Sequence, residues 1–189
     1  KVILCTGHLS NLIKKEMKEK NYKLDIKLSD DGKSLLGTGG AIKKAAEKNK
    51  DKIFFIIYGD SFLRVNLEKF FDKYKKVKKL GMMSVIKNKN KWEKSNAYFL
   101  NSKNDIFYNK TGVDKKFDYI DYGASIINSK VFKDYPKNNF FDLAGVFNKL
   151  SLQDNLAGFK VTKRFYEIGS KTGLNETSKF LKKNLLWNL

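Results

Sequence analysis

Ile53-Phe54-Phe55-Ile56-Ile57-Tyr58 runs without a break in apolar character and stops at Gly59-Asp60-Ser61. Six successive apolar residues, mostly β-branched or aromatic, predict a strand buried on both faces, as in a parallel sheet covered by helices. Sheets of that kind bind ligands at the carboxyl ends of their strands. A glycine there lets the backbone turn sharply. The Asp60 carboxylate then projects into the crevice, where a hard cation or a ligand hydroxyl can use it. The competing reading is that Asp60 caps the next helix.

Working outward, residues 2–6 read as a strand and 9–20 as a helix, with Leu9, Leu12, Ile13 and Met17 at helical spacing. Alternation of Tyr22, Leu24, Ile26 and Leu28 predicts a second strand over 22–28, closed by the turn Ser29-Asp30-Asp31-Gly32. Leu35-Leu36-Gly37-Thr38-Gly39-Gly40-Ala41 leads into a helix ending near Lys48. A further helix over 66–77 carries Leu67, Phe70, Phe71 and Tyr74 on one face. Strand and helix thus alternate three times, which argues for a doubly wound, mostly parallel, Rossmann-like α/β sheet. After Gly81 strands dominate, at 82–86, 96–100, 106–108 and 119–127, an added antiparallel region in the C-terminal half. A helix over 141–150, a strand over 158–162, the segment 165–168 and a helix over 173–183 complete the order.

The 189 residues are enough for one domain with a full core. No apolar run reaches the roughly 20 residues that span a bilayer, so no membrane partner is expected. Cys5 is the single cysteine, too few for an internal disulfide, and is read as a small core residue on a buried strand. That usage suits the cytoplasm. The chain enters its first strand at once, from which a preceding segment is expected. The net charge of +19 rests on lysine, with arginine only at 64 and 164. Phosphate forks and guanine readout favour arginine. No nucleic-acid partner is expected, whereas a phosphorylated substrate suits the charge. His8 is the only histidine, which leaves neither a zinc set nor a catalytic triad to assemble.

Two further stretches carry chemistry. Gly37-Thr38-Gly39-Gly40 precedes a helix, where small residues admit a ligand close to the backbone and free amides favour anions. It is neither a Walker loop nor a dinucleotide fingerprint, and close packing against a sheet would also use such glycines. Arg164-Phe165-Tyr166-Glu167-Ile168-Gly169-Ser170 places a second carboxylate in an apolar stretch that ends at glycine. If Glu167 faces Asp60, the pair makes a seat for Mg2+, an ion that takes few protein oxygens and completes its shell with water and substrate phosphates.

Leu36-Gly37-Thr38-Gly39-Gly40-Ala41-Ile42, Tyr58-Gly59-Asp60-Ser61, Ile120-Asp121-Tyr122-Gly123 and Phe165-Tyr166-Glu167-Ile168-Gly169-Ser170 occur in that order. In order and spacing they resemble the motifs of the sugar-1-phosphate nucleotidylyltransferases, over residues 1 to about 181. The likeness is greatest to the heptose-1-phosphate and mannose-1-phosphate guanylyltransferase branch. The resemblance implies that Asp60 and Glu167 hold the metal, although many members have Asp at the second position. It implies that Gly37, Thr38, Gly39 and Gly40 accept the nucleoside's base and ribose, and that Lys110 meets the sugar phosphate. Asn109 stands where the family has an acidic partner to that lysine. Gly123 matches the glycine beneath the sugar, and Asn96 a polar residue on the sugar side. The family's opening signature, a Gly-rich loop with an Arg and a Pro-Lys, lies ahead of the strand matched by residues 2–6. Residues 1–189 alone are therefore expected to be a poor enzyme.

The implied activity joins an NTP, with GTP suggested by the likeness, to a sugar 1-phosphate with release of pyrophosphate. The product would be an activated sugar for polysaccharide or lipopolysaccharide synthesis. The alternatives are a non-catalytic domain that binds nucleotide or sugar, and a glycosyltransferase. The latter normally carries an Asp-x-Asp pair that Gly59-Asp60-Ser61 lacks.

Overall fold

The computed structural model describes residues 1–49, 51–100, 102–112 and 116–184. The chain forms two compact units, Lys1–Phe54 with Asn128–Lys149, and Phe55–Ile127 with the chain from Leu150 onward.

In the first unit β1 (Val2–Thr6) pairs in parallel with β2 (Ile26–Asp30), from Val2 opposite Ile26 to Thr6 opposite Asp30. α1 (Ser10–Glu19) joins the two strands. α2 (Gly37–Glu47) packs against both. The second strand starts four residues later than its alternation suggests. Tyr22 and Leu24 are exposed, and the Leu24 amide closes a turn onto the Tyr22 carbonyl at 2.7 Å, so this apolar pair has no sheet face to cover. Cys5 is exposed, not a core residue. Among the described residues its strand pairs with β2 alone, and its thiol donates to the Ala41 carbonyl at 3.7 Å.

In the second unit a six-stranded sheet has the order β3-β8-β5-β9-β7-β6. Its members are β3 (Ile53–Ile57), β5 (Gly81–Lys87), β6 (Ala97–Leu100), β7 (Asp105–Tyr108), β8 (Tyr119–Asn128) and β9 (Leu156–Val161). β5 and β9 are parallel; β5 with β8, β6 with β7 and β7 with β9 are antiparallel. This is the expected α/β architecture, with its antiparallel region after Gly81. α3 (Leu67–Lys76) starts at Asn66, whose side chain accepts the Lys69 amide at 2.8 Å. The helix buries Phe70 and Tyr74 over Met82, Ala124, Ile126 and Ala157.

β3 departs from its reading as a strand covered on both faces. Ile56 is buried, but Ile53, Phe55 and Ile57 are 38–48% exposed, because the strand is at the sheet edge. Two short strands, β4 (Ser61–Phe62) and β10 (Tyr166–Glu167), form an antiparallel ribbon with Tyr166 opposite Phe62 and Glu167 opposite Ser61. A 3-10 helix at Ser129–Phe132, α4 (Leu143–Leu152) and α5 (Lys171–Asn184) complete the elements among the described residues. Phe180 of α5 stacks on Tyr166 at 4.1 Å and packs on Phe62 at 5.9 Å, which fixes the helix to the ribbon.

Candidate active site

The ribbon brings together two carboxylates more than a hundred positions apart in sequence. Asp60 immediately precedes β4, and its carbonyl accepts the Ile168 amide at 3.0 Å. Asp60 Oδ2 and Glu167 Oε2 lie 3.5 and 3.2 Å from the point where a Cβ on Gly169 would stand. Both oxygens therefore surround one small space, kept open because residue 169 has no side chain. Glu167 is also held from behind. Oε2 accepts the amides of Gly169 at 2.6 Å and Ser170 at 3.1 Å, and Oε1 accepts the Ser170 hydroxyl at 2.8 Å. Ser170 Oγ in turn accepts the Gly173 amide at 2.8 Å, in the first turn of α5. Two hard oxygens around one space, one of them oriented by fixed donors, form a donor set that fits a divalent cation of the magnesium type.

A chain of hydrogen bonds leads from this ribbon to the other sequence-derived residues of the unit. The Tyr58 amide donates to the Gly123 carbonyl at 3.3 Å. Gly123 has φ 92°, the left-handed region in which a side chain is strained. A Cβ there would face Tyr58 at 3.4 Å and Leu63 at 3.5 Å. The Gly123 amide donates to Asp121 Oδ1 at 2.9 Å, and the Asp121 amide donates to Asn96 Oδ1 at 2.9 Å. Asn96 also accepts the Asn109 amide on its carbonyl, at 2.9 Å. Asn109 opens the turn that carries Lys110: its Oδ1 takes the Thr111 amide at 3.0 Å and hydroxyl at 2.7 Å, and its carbonyl takes the Gly112 amide at 2.9 Å. An asparagine here shapes the turn and leaves the charge to exposed Lys110. Asn96 spends its side-chain oxygen on the backbone of β8, which makes it an organiser of this edge.

Asp121 escaped the sequence reading as a residue in its own right. Burial pushes its carboxyl above the ordinary aspartate range to about 6, against the opposing Gly123 hydrogen bond. Its sequence signal was present, an acidic residue inside the apolar strand 119–127.

The glycine motif belongs to the first unit. It is not a loop ahead of a helix, since α2 begins at Gly37 itself. The Gly39 and Gly40 amides donate to the Phe141 carbonyl, at 3.0 and 3.3 Å. Cβ atoms on Gly37 and Gly40 would meet the Phe141 and Asn139 carbonyl oxygens at 2.6 and 2.5 Å, and one on Gly39 would overlap the Phe141 ring. Thr38 Oγ1 donates to Asp142 at 2.8 Å and accepts the Leu143 amide at 2.9 Å. The motif thus locks α2 onto segment 139–143. Packing accounts for Gly37, Gly39 and Gly40, and the Thr38 hydroxyl serves the same junction.

No family model matches the chain. A curated relative, D-glycero-alpha-D-manno-heptose 1-phosphate guanylyltransferase from Aneurinibacillus thermoaerophilus, is 28% identical over 169 residues, 89% of this chain and 72% of that protein. This chain is thus similar in sequence to a protein that is by name a sugar-1-phosphate nucleotidylyltransferase. Solved structures extend the likeness at the level of the fold. HddC from Yersinia pseudotuberculosis, complexed with GMP-PN, superimposes with TM-score 0.73 at 20% identity, over 95% of this chain and 78% of its own. The inositol-1-phosphate CTP transferase from T. maritima gives 0.71 at 17% identity, over 94% and 73%. The chain therefore shares its fold with these structures. Among the described residues no helix is long and apolar enough to cross a membrane.

Proposed function

We propose that the protein is a nucleotidyltransferase that joins an NTP to a sugar 1-phosphate, giving an NDP-sugar and pyrophosphate. An oxygen of the sugar phosphate attacks the α-phosphorus of the NTP, and the bond from that phosphorus to the departing pyrophosphate breaks. The nucleophile is already anionic, so no general base is needed. Alignment and charge neutralisation supply the catalysis. Asp60 and Glu167 hold Mg2+, which when bound neutralises charge on the phosphate oxygens. Lys110 meets the sugar phosphate, Asn96 and Gly123 shape the sugar side, and residues 37–40 receive the nucleoside. The name of the curated relative favours GTP and a heptose phosphate, and the motif likeness adds mannose phosphate. A cytoplasmic supply of activated sugar for polysaccharide or lipopolysaccharide assembly is the matching role.

One observation carries this reading: the carboxylates of Asp60 and Glu167 surround the same glycine. The test is NDP-sugar formation by the native full-length protein from GTP, mannose 1-phosphate and Mg2+. Asp60→Ala should abolish product while leaving the circular dichroism spectrum unchanged. Turnover near the unsubstituted rate would remove Asp60 from the reaction.

A further inference from the structure

One hydroxyl joins the first turn of α5 to the carboxylate of Glu167. Ser170 immediately precedes the helix, and its Oγ accepts the Gly173 amide at 2.8 Å, as a capping serine does. Its hydrogen is donated to Glu167 Oε1, also at 2.8 Å. Gly173 stands against that same oxygen with no side chain between them. Buried Thr177, about one turn further on, donates its hydroxyl to the Glu167 carbonyl at 2.8 Å. Backbone and side chain of Glu167 are thus both anchored on α5, with Oε1 turned to the helix.

Asp60 is held by a serine in the same way. Its Oδ1 accepts the Ser61 hydroxyl at 3.0 Å, and Ser61 lies opposite Glu167 in the register of the ribbon. The two oxygens without a serine, Asp60 Oδ2 and Glu167 Oε2, are the two that surround the space at Gly169. Oε2 also carries the Gly169 and Ser170 amides. A carboxylate has about four acceptor positions. On Glu167 the two amides and the Ser170 hydroxyl already occupy three of them, which leaves one bond to offer.

Cations differ in what they need from such a pair. Ca2+ takes roughly 6–8 oxygens and readily accepts both oxygens of one carboxylate, whereas Mg2+ keeps several waters and needs only one or two carboxylates. We propose that Ser61 and Ser170 set the cation selectivity of the seat. By holding Asp60 Oδ1 and Glu167 Oε1 they leave one oxygen of each carboxylate for an ion. That favours a small cation that keeps its water over a large one that would chelate. The inference rests on the reading of Asp60 and Glu167 as one metal seat, and it makes the two serines positioning residues that act through the carboxylates.

The test is displacement of bound Mn2+ from the native full-length protein by Mg2+ and by Ca2+, followed by electron paramagnetic resonance. Mg2+ should displace Mn2+ at a concentration about tenfold lower than Ca2+ requires. Ser170→Ala frees Oε1 and should narrow that ratio about fivefold, while Ser170→Thr keeps the hydroxyl and should restore it. Loss of the helix cap also lowers the unfolding temperature of Ser170→Ala, but a loosened fold weakens all three ions alike and cancels in the ratio. Ser61→Ala leaves the cap intact and should narrow the ratio in the same direction. Equal displacement by the two ions in the unsubstituted protein, or a ratio that neither alanine variant changes, overturns the proposal. So does a threonine variant that behaves as alanine. Asp60→Asn and Glu167→Gln separate this claim from the one beneath it. Mn2+ binding that survives both changes removes the seat and the selectivity with it. Binding lost in both, with a ratio indifferent to either serine, keeps the seat and removes the selectivity.

Discussion

A Cβ placed on Gly173 would overlap Oε1 of Glu167. The first turn of α5 therefore lacks a side chain where it meets one of the two proposed metal carboxylates, and Ser170 links helix and carboxylate by hydrogen bonds. Alanine inside a helix is ordinarily better than glycine by up to about 1 kcal/mol. Here the sign should reverse: Gly173→Ala should lower the unfolding temperature and weaken Mn2+ binding together. Gly145 in α4 has nothing within 4 Å of the point where a Cβ would stand, so Gly145→Ala should raise the unfolding temperature. Equal gains from both substitutions, by differential scanning calorimetry, would contradict the packing described at Glu167.

Asp121 gives the molecule a pH dependence of definite sign. Its folded carboxyl titrates at about 6, above the ordinary aspartate value. The folded state therefore holds the proton more tightly than the unfolded chain. This group's contribution is fully present below pH 4 and is lost as pH rises to about 6, up to roughly 3 kcal/mol at about 1.4 kcal/mol per pH unit. Asp121→Asn keeps an acceptor for the Gly123 amide and removes the titration. Its stability relative to the unsubstituted protein should rise across that interval, as read from urea midpoints at successive pH values. A parallel pair of curves would refute the assignment.

Tyr122 is buried, and its hydroxyl accepts the Arg64 amide at 2.9 Å. Tyr122→Phe preserves the ring contact with Phe165 and leaves that amide without its acceptor. The expected loss is about 1–3 kcal/mol in urea unfolding. A loss below about 0.5 kcal/mol would mean that water replaces the hydroxyl.

Neighbouring residues of β3 should behave oppositely. Ile56 is 8% exposed and Ile57 is 48% exposed. Ile56→Ala should cost about 2–4 kcal/mol, as for other buried isoleucines, while Ile57→Thr should stay within about 1 kcal/mol and improve solubility by interrupting an apolar edge. Equal costs would restore the reading of a strand buried on both sides.

Periodicity made the elements legible because each is encoded locally. The helix around Phe70 and Tyr74 and the strand after Tyr119 fall within a residue or two of their sequence positions. What depends on distant partners was not legible. The run 53–58 has the composition of a central strand, yet its exposure is set by which strands lie beside it. β4 is two residues long and exists because Tyr166 and Glu167 pair with it. Asn96 reads as a polar residue near a ligand, but its oxygen is spent on the Asp121 amide, a partner 25 residues away. The glycines at 37–40 were visible, whereas the carbonyl oxygens they pack against, in segment 139–143, were not. The two proposed metal carboxylates were singled out by motif resemblance, and the ribbon supplies the physical reason why both lie beside Gly169.

The central claim is that Asp60 and Glu167 act as one seat for a divalent ion. Titration of the native full-length protein with Mn2+, followed by electron paramagnetic resonance, measures this directly in Asp60→Asn, Glu167→Gln and the double variant. A shared seat predicts that each single change weakens binding at least tenfold and that the double change adds little more, because one site is already lost. Mn2+ affinity that survives either single change, or losses that simply multiply in the double variant, would contradict it.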